Sequence, residues 1–200
     1  VVRGLSISNT PTGHAFQDGG GTIGTAALTE VSVSGSGGVL NIDDGGTLNA
    51  TLGGMSSSSS PSAPILLTNV AGTVVQTGGG SVANVSNFDL LDINGGSVAI
   101  SLTASLNSSA GNGSLVDVSG GHTGSLTIAG SVSSSASYAG DNLQFDNADG
   151  AYTFSGEVDL LAGSAGVNIQ NGSSGFFTTS NADSSIENIV GTPFRVNTSA

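Results

Sequence analysis

The sequence predicts an all-β chain wound as a right-handed parallel β-helix, a β-solenoid of about eight rungs with roughly 25 residues in each. Three observations carry this. A short pattern of apolar, any, apolar, polar recurs along the whole chain. Its copies are almost evenly spaced. Between them lie short alternating apolar runs and glycine-rich corners, and no segment has the 3.6-residue period of an amphipathic helix.

The pattern is plainest in Leu91-Asp92-Ile93-Asn94, where Gly95-Gly96 precedes a second alternating run with Val98, Ile100 and Leu102. Alone, this would be a β-hairpin, because Asn-Gly tolerates the positive φ of a type I′ turn. Recurrence changes the reading. With the polar residue as anchor, the copies fall at Gln17, Asp43, Thr68, Asn94, Ser119, Asp146, Gln170 and Asn197, spaced 26, 25, 26, 25, 27, 24 and 27 residues apart. A hairpin has no reason to repeat so evenly, whereas a rung must stack on another rung to bury its apolar side. At the ordinary inter-strand spacing of ~4.8 Å the rod would be roughly 35–40 Å long. Parallel crossovers are expected to be right-handed.

Two inward columns follow. One holds Phe16, Ile42, Leu67, Ile93, Val118, Phe145, Ile169 and Val196. Two residues earlier come His14, Leu40, Ile65, Leu91, Val116, Leu143, Val167 and Phe194, so fifteen of the sixteen positions are apolar. The anchors themselves are all polar, and their amides, hydroxyls and carboxylates suit a corner ladder bonded to turn backbone or to the next rung.

In chain order, 1–11 reads as a partial rung with Leu5 and Ile7 alternating before Pro11. The rung from His14 continues through Ile23, Leu28, Val31 and Val33. Leu48, Ala50 and Leu52 follow, and then M-S-S-S-S-S-P-S-A-P over 55–64, which has no apolar period and reads as a projecting loop. Val74, Val82, Val85 and Phe88 serve the third rung. Leu126, Ile128 and Val132 come next, with 133–138 as a bulge. Tyr152, Phe154, Val158 and Leu160 make an aromatic rung, and Phe176, Phe177, Ile186 and Ile189 complete the last full one. The chain opens without Met and closes as a new rung starts at Phe194, so it is expected to be one solenoid segment, 1–200, of a longer protein with flanking rungs on the same polypeptide.

Composition narrows the function. Thirty-three glycines and many serines also suit disorder, which the alternating columns argue against. Charged residues are only 8%, against ~25% in ordinary soluble domains. Lysine is absent, Arg3 and Arg195 are the only strong bases, and the net charge is −12. Nucleic acid is disfavoured, since phosphates require Lys and Arg, and so is a polybasic membrane anchor. No apolar run reaches the ~18 residues of a membrane span, so direct insertion is not expected. Without cysteine there are no disulfides or thiolate metal sites.

Few residues suggest chemistry. Asp92 and Asp117 share the outward position of consecutive rungs, where side chains would lie ~5 Å apart. Such a pair can share a proton, hold a hard cation or serve a glycosidase, and it can equally be two solvated acids on a polar face with no third acid beside them. Asp146-Asn147-Ala148-Asp149-Gly150 offers oxygen ligands at a turn but lacks the spacing and terminal Glu of an EF-hand. Calcium is the one cofactor these four aspartates, Asp92, Asp117, Asp146 and Asp149, raise; turn chemistry accounts for them otherwise. His14 and His122 have no Ser–acid partner nearby in sequence. Six Asn-x-Ser/Thr sequons, at Asn49, Asn84, Asn107, Asn112, Asn171 and Asn197, are expected from composition alone.

The segments G-H-A-F-Q-D-G-G-G-T (13–22), G-V-L-N-I-D-D-G-G-T-L (38–48), D-G-A-Y-T-F-S-G-E-V (149–158) and G-V-N-I-Q-N-G-S-S-G-F-F (166–177) resemble the β-strand-repeat surface proteins of bacteria and the passenger domains of autotransporter adhesins. The resemblance implies an extracellular place on a bacterial cell surface, membership of a very large protein and no catalytic residue. The expected function is a stalk or adhesive spacer, not an enzyme, with a host surface, matrix or glycan as partner. The alternative is a β-helical protein that binds or degrades polysaccharide. Such lyases use Lys or Arg beside acids, and here only Arg3 and Arg195 are on hand, near the two ends. Ice binding would need a flat, regular threonine array, and the outward columns read as mixed.

Overall fold

A computed structural model of the chain describes residues 1–10, 12–83 and 87–197. Pro11, Val85, the sequon at 84–86 and the end of the sequon at 197–199 lie outside the described residues. The chain forms parallel strands throughout, stacked as a solenoid of about eight turns with no helix among the described residues.

Each turn presents three faces. The first is one sheet of eight strands: His14–Gln17, Gly38–Ile42, Ile65–Thr68, Leu91–Asn94, Val116–Ser119, Asp141–Asp146, Ala165–Gln170 and Thr192–Asn197. These define rungs one to eight. The second and third faces form a single fourteen-stranded sheet. In rungs one and two the two faces are one long strand, Thr25–Gly35 and then Gly46–Ser57. The bend within the first falls at Glu30, whose φ of 56° accompanies the register shifts between Thr29 and Val33. From rung three onward they separate, as in Ala99–Leu102 and Ser105–Ser108.

The alternation of the sequence is the alternation of burial. Leu91 and Ile93 pair with Ile65 and Leu67 on one side and Val116 and Val118 on the other, and all six are at most 2% exposed. The corner after this face needs one residue at positive φ. That residue is Asn69, Gly95, Gly120, Asn147 or Asn171 in successive rungs, at φ 52° to 68°. Only Gly and Asn adopt this conformation cheaply, so these five anchors are each followed by one of them, whereas Gln17 and Asp43 are followed by Asp18 and Asp44.

The first rung departs from the expected columns. Phe16 pairs with Leu40 and His14 with Gly38, two residues away from the alignment with Ile42 and Leu40. The reason is steric. The His14 ring lies over Gly38, where a Cβ would come within 2.1 Å of it, and His14 Nε2 reaches the carbonyl of Ala63 at 2.9 Å. Gln17 therefore pairs with Asn41 and does not join the Asp43 corner. The serine-rich segment is also less of a loop than expected. Met55–Ser57 complete a strand, with Met55 and Ser57 1% exposed and Ser57 paired with Val82. Only 58–64 turn, and Ser60, Ala63 and Pro64 in that turn are buried.

The core is one continuous column from Leu28 to Val167. It opens at both ends. A cavity of about 180 Å³ lined by Leu5, Ile7, Phe16 and Leu28 lies at one, and another of about 180 Å³ lined by Phe177, Ile186 and Phe194 at the other. The inward residues Phe194 and Val196 are accordingly 51% and 58% exposed, because no rung covers them.

Candidate functional site

Asp92 and Asp117 stand in register on adjacent parallel strands, on the outer side of the first face. Their lateral neighbours in the column are Leu66 and Gln144, neither of which carries a compensating charge. Both are half-buried. Burial, followed by the charge of Asp89, raises the Asp92 carboxyl to about 6. Burial, followed by the charges of Asp89, Asp92 and Asp146, raises Asp117 to about 7, against a lesser hydrogen bond from Ser119. The third acid that the sequence did not reveal is Asp89, which arrives from the preceding corner and accepts the N–H of Ser114 from the next rung. The result is two half-buried carboxyls in register on one strand surface. The two end cavities and the groove on the third face are lined by other residues.

Asp146 and Asp149 do different work. Asp146 accepts the Asn171 side-chain amide at 2.8 and 2.9 Å and the Gln170 amide at 3.2 Å. Asp149 accepts the Ser174 hydroxyl at 2.6 Å and its N–H at 3.1 Å, which hold its carboxyl below the ordinary value. Each carboxylate is a cross-rung tie. Of the anchor ladder, Thr68, Asn94 and Ser119 stack in register, and Asp146, Gln170 and Asn197 do so further along.

Among the described residues, the acidic atoms closest to a metal-ligand arrangement are those of Asp18, Asp43 and Asp44, within 4.8 Å of one another. Asp18 Oδ2 already accepts the N–H groups of Asp43 and Asp44 at 2.8 and 2.9 Å. Burial acts to raise Asp18, but those N–H groups outweigh it and lower its carboxyl. The hydrogen bond to Asp18, with its charge, raises Asp43. Asp18 is thus engaged by the backbone of the next rung, with the Asp43 carboxyl beside it.

The imidazoles are structural. His122 is fully buried at the corner between first and second faces, with Nε2 3.1 Å from the Val98 carbonyl and Nδ1 3.2 Å from the Tyr152 hydroxyl. Tyr152 Oη also accepts the Gly150 N–H at 2.9 Å. Burial lowers the His122 pKa, which keeps the ring neutral: Nε2–H donates to the Val98 carbonyl, while the phenol O–H donates to the His122 carbonyl at 3.0 Å, beside Nδ1. Gln76, 1% exposed, fills an apolar column at the other corner, and its Oε1 takes the N–H groups of Thr103 and Ala104 at 2.8 and 2.7 Å. Its position two residues after the inward Val74 was the available signal.

The outer sides of the faces differ sharply in charge. The first face carries Asp92, Asp117, Asp146 and Arg195. On the third, Ser133 donates to Asn107 at 2.8 Å and Ser185 to Asp159 at 2.6 Å. The second face has an outward column in register from Thr29 through Thr51, Val75, Ser101, Thr127 and Thr153 to Thr178. This column is more regular than the sequence suggested, because the alignment depends on rung lengths that vary by up to three residues. Compared with known proteins, the chain matches no family, no curated protein and no solved structure.

Proposed function

We propose that the chain is part of an extracellular, surface-displayed β-solenoid of the bacterial adhesin type, acting as a stalk or adhesive spacer. The observation that supports this best is the unbroken apolar core running through parallel rungs in register. Stacked rungs transmit load along a rod. Host surface, matrix or glycan is the partner class, and calcium has no role in this reading. The test is to label intact cells of the source organism with antibody raised against the chain, before and after shaving with protease. Labelling lost on shaving supports display. Signal found only after lysis overturns it.

The second reading, a glycan-degrading enzyme, draws on the raised carboxyl pair, since a protonated acid beside a carboxylate is what glycoside hydrolysis uses. Incubation with neutral and acidic polysaccharides separates the two. No release of oligosaccharide is expected; reproducible release that disappears in Asp92→Asn would make the chain an enzyme.

A further inference from the structure

The outer surface of the second face carries no charge between Thr47 and Thr179, although the chain as a whole is at −12. Its central column is Thr51, Val75, Ser101, Thr127, Thr153 and Thr178. The flanking column runs from Asn49 through Thr73, Ala99, Ser125 and Ala151 to Phe176, which is 79% exposed. Val75 is 37% exposed. Hydroxyls on the third face are tied to the Asn107 amide and the Asp159 carboxylate, whereas those of Thr51, Thr127, Thr153 and Thr178 have no partner among the described residues.

We propose that the second face is a lateral interface between two copies of this chain, packed side by side. Charge selects the occupant. Two molecules this acidic repel one another through most of their surface. The second face is where they can approach through uncharged side chains alone. Its rims are marked by Asp44 and Asp149 on one side and Glu30 and Glu157 on the other, and facing sheets stand ~10 Å apart. The corners of two solenoids diverge from that plane, so these acids remain hydrated.

Area sets the strength. Five residues across at ~3.3 Å and seven strands at ~4.8 Å give on the order of 500 Å² per copy. The total of about 1,000 Å² is at the lower edge of specific association, so the contact is weak and reversible. A two-fold arrangement uses the same patch on both partners.

Sedimentation velocity of the 200-residue chain across micromolar to millimolar concentration tests this, with X-ray scattering to measure the dimer's length. We expect a monomer–dimer equilibrium, strengthened by salt, in which the dimer is about as long as the monomer. Thr127→Asp/Thr153→Asp should weaken it at least about tenfold, like charge at an interface costing over 1.4 kcal/mol. Ser133→Asp, on the third face, should leave it unchanged. If the double variant fails to melt like the parent, Val75→Arg makes the same test at a single exposed position. A monomer at every concentration would overturn the proposal. So would a dimer twice as long, which is end-to-end stacking, or one that survives the second-face charges. Growth-shaping of ice crystals by a chain that stays monomeric would assign the face to ice instead.

Discussion

The inner and outer sides of the same rungs bury polar groups in opposite ways. Inside, His122 is wholly enclosed, yet each ring nitrogen has a partner and the ring is neutral. Outside, Asp92 and Asp117 are only half-buried, yet they face each other and Asp89 with no cation in their rungs. Among the described residues the one ion pair is Arg3 with Glu30, at the far end. Burial with partners makes a lock, and burial without them makes a group that holds its proton.

The largest effect should come from breaking the inside. Phe145 is 1% exposed, and its ring centroid lies 5.0 Å from that of Tyr152 and 5.3 Å from that of Phe177. Phe145→Ala should cost about 3–5 kcal/mol and unseat the phenol that caps His122. Urea midpoints check it, and an unchanged midpoint would remove Phe145 from the core. Next in size is Tyr152→Phe, which keeps the ring but strands the Gly150 N–H and removes the hydroxyl that bonds the His122 carbonyl beside Nδ1. A loss of about 1–3 kcal/mol is expected from the same measurement.

These two residues also show what the sequence could and could not reveal. Phe145 was legible because the inward columns depend on local alternation, which one strand displays by itself. The pairing of His122 with Tyr152 was not, because it spans thirty residues and depends on which rung has a phenol at that height. Asp89 was missed for a similar reason: it lies outside any strand and reaches Ser114 across a rung. The first-rung register failed because His14 was aligned by position, while packing placed its ring against a glycine. Period fixes where strands fall; side-chain volume decides which of them meet.

The outside can be relaxed instead of broken. Asp92 and Asp117 have folded-state values of about 6 and about 7, above the ordinary 3.8. The folded chain therefore binds more protons than the unfolded one from about pH 4 to pH 7, and stability falls as pH rises through that window. Asp92→Asn removes one charge that the face cannot neutralise. After allowing for solvent screening, the variant should gain on the order of 1 kcal/mol at pH 8 and nothing near pH 4. A destabilised variant at pH 8 would mean that the carboxylate has an attractive partner.

The smallest and most discriminating effect is the pH response of the inside, because its sign is reversed. His122 is held below its ordinary 6.5 by burial, with the Val98 carbonyl acting weakly the other way. Below pH 6.5 the unfolded chain takes up a proton that the folded one resists, so this group's contribution is present above that pH and is lost as pH falls through the folded value. In the parent this loss is masked, since protonation of Asp92 and Asp117 stabilises the same rungs over the same range. An Asp92→Asn/Asp117→Asn background removes the mask. There, unfolding free energy should decline on going from pH 7 to pH 5, and a further His122→Gln change should flatten the slope even though it lowers stability at pH 7. A slope that persists without His122 would place the titrating group elsewhere. A flat profile before the change would mean that the imidazole accepts its second proton without cost, and that the enclosure by Val98 and Tyr152 does not select its neutral form.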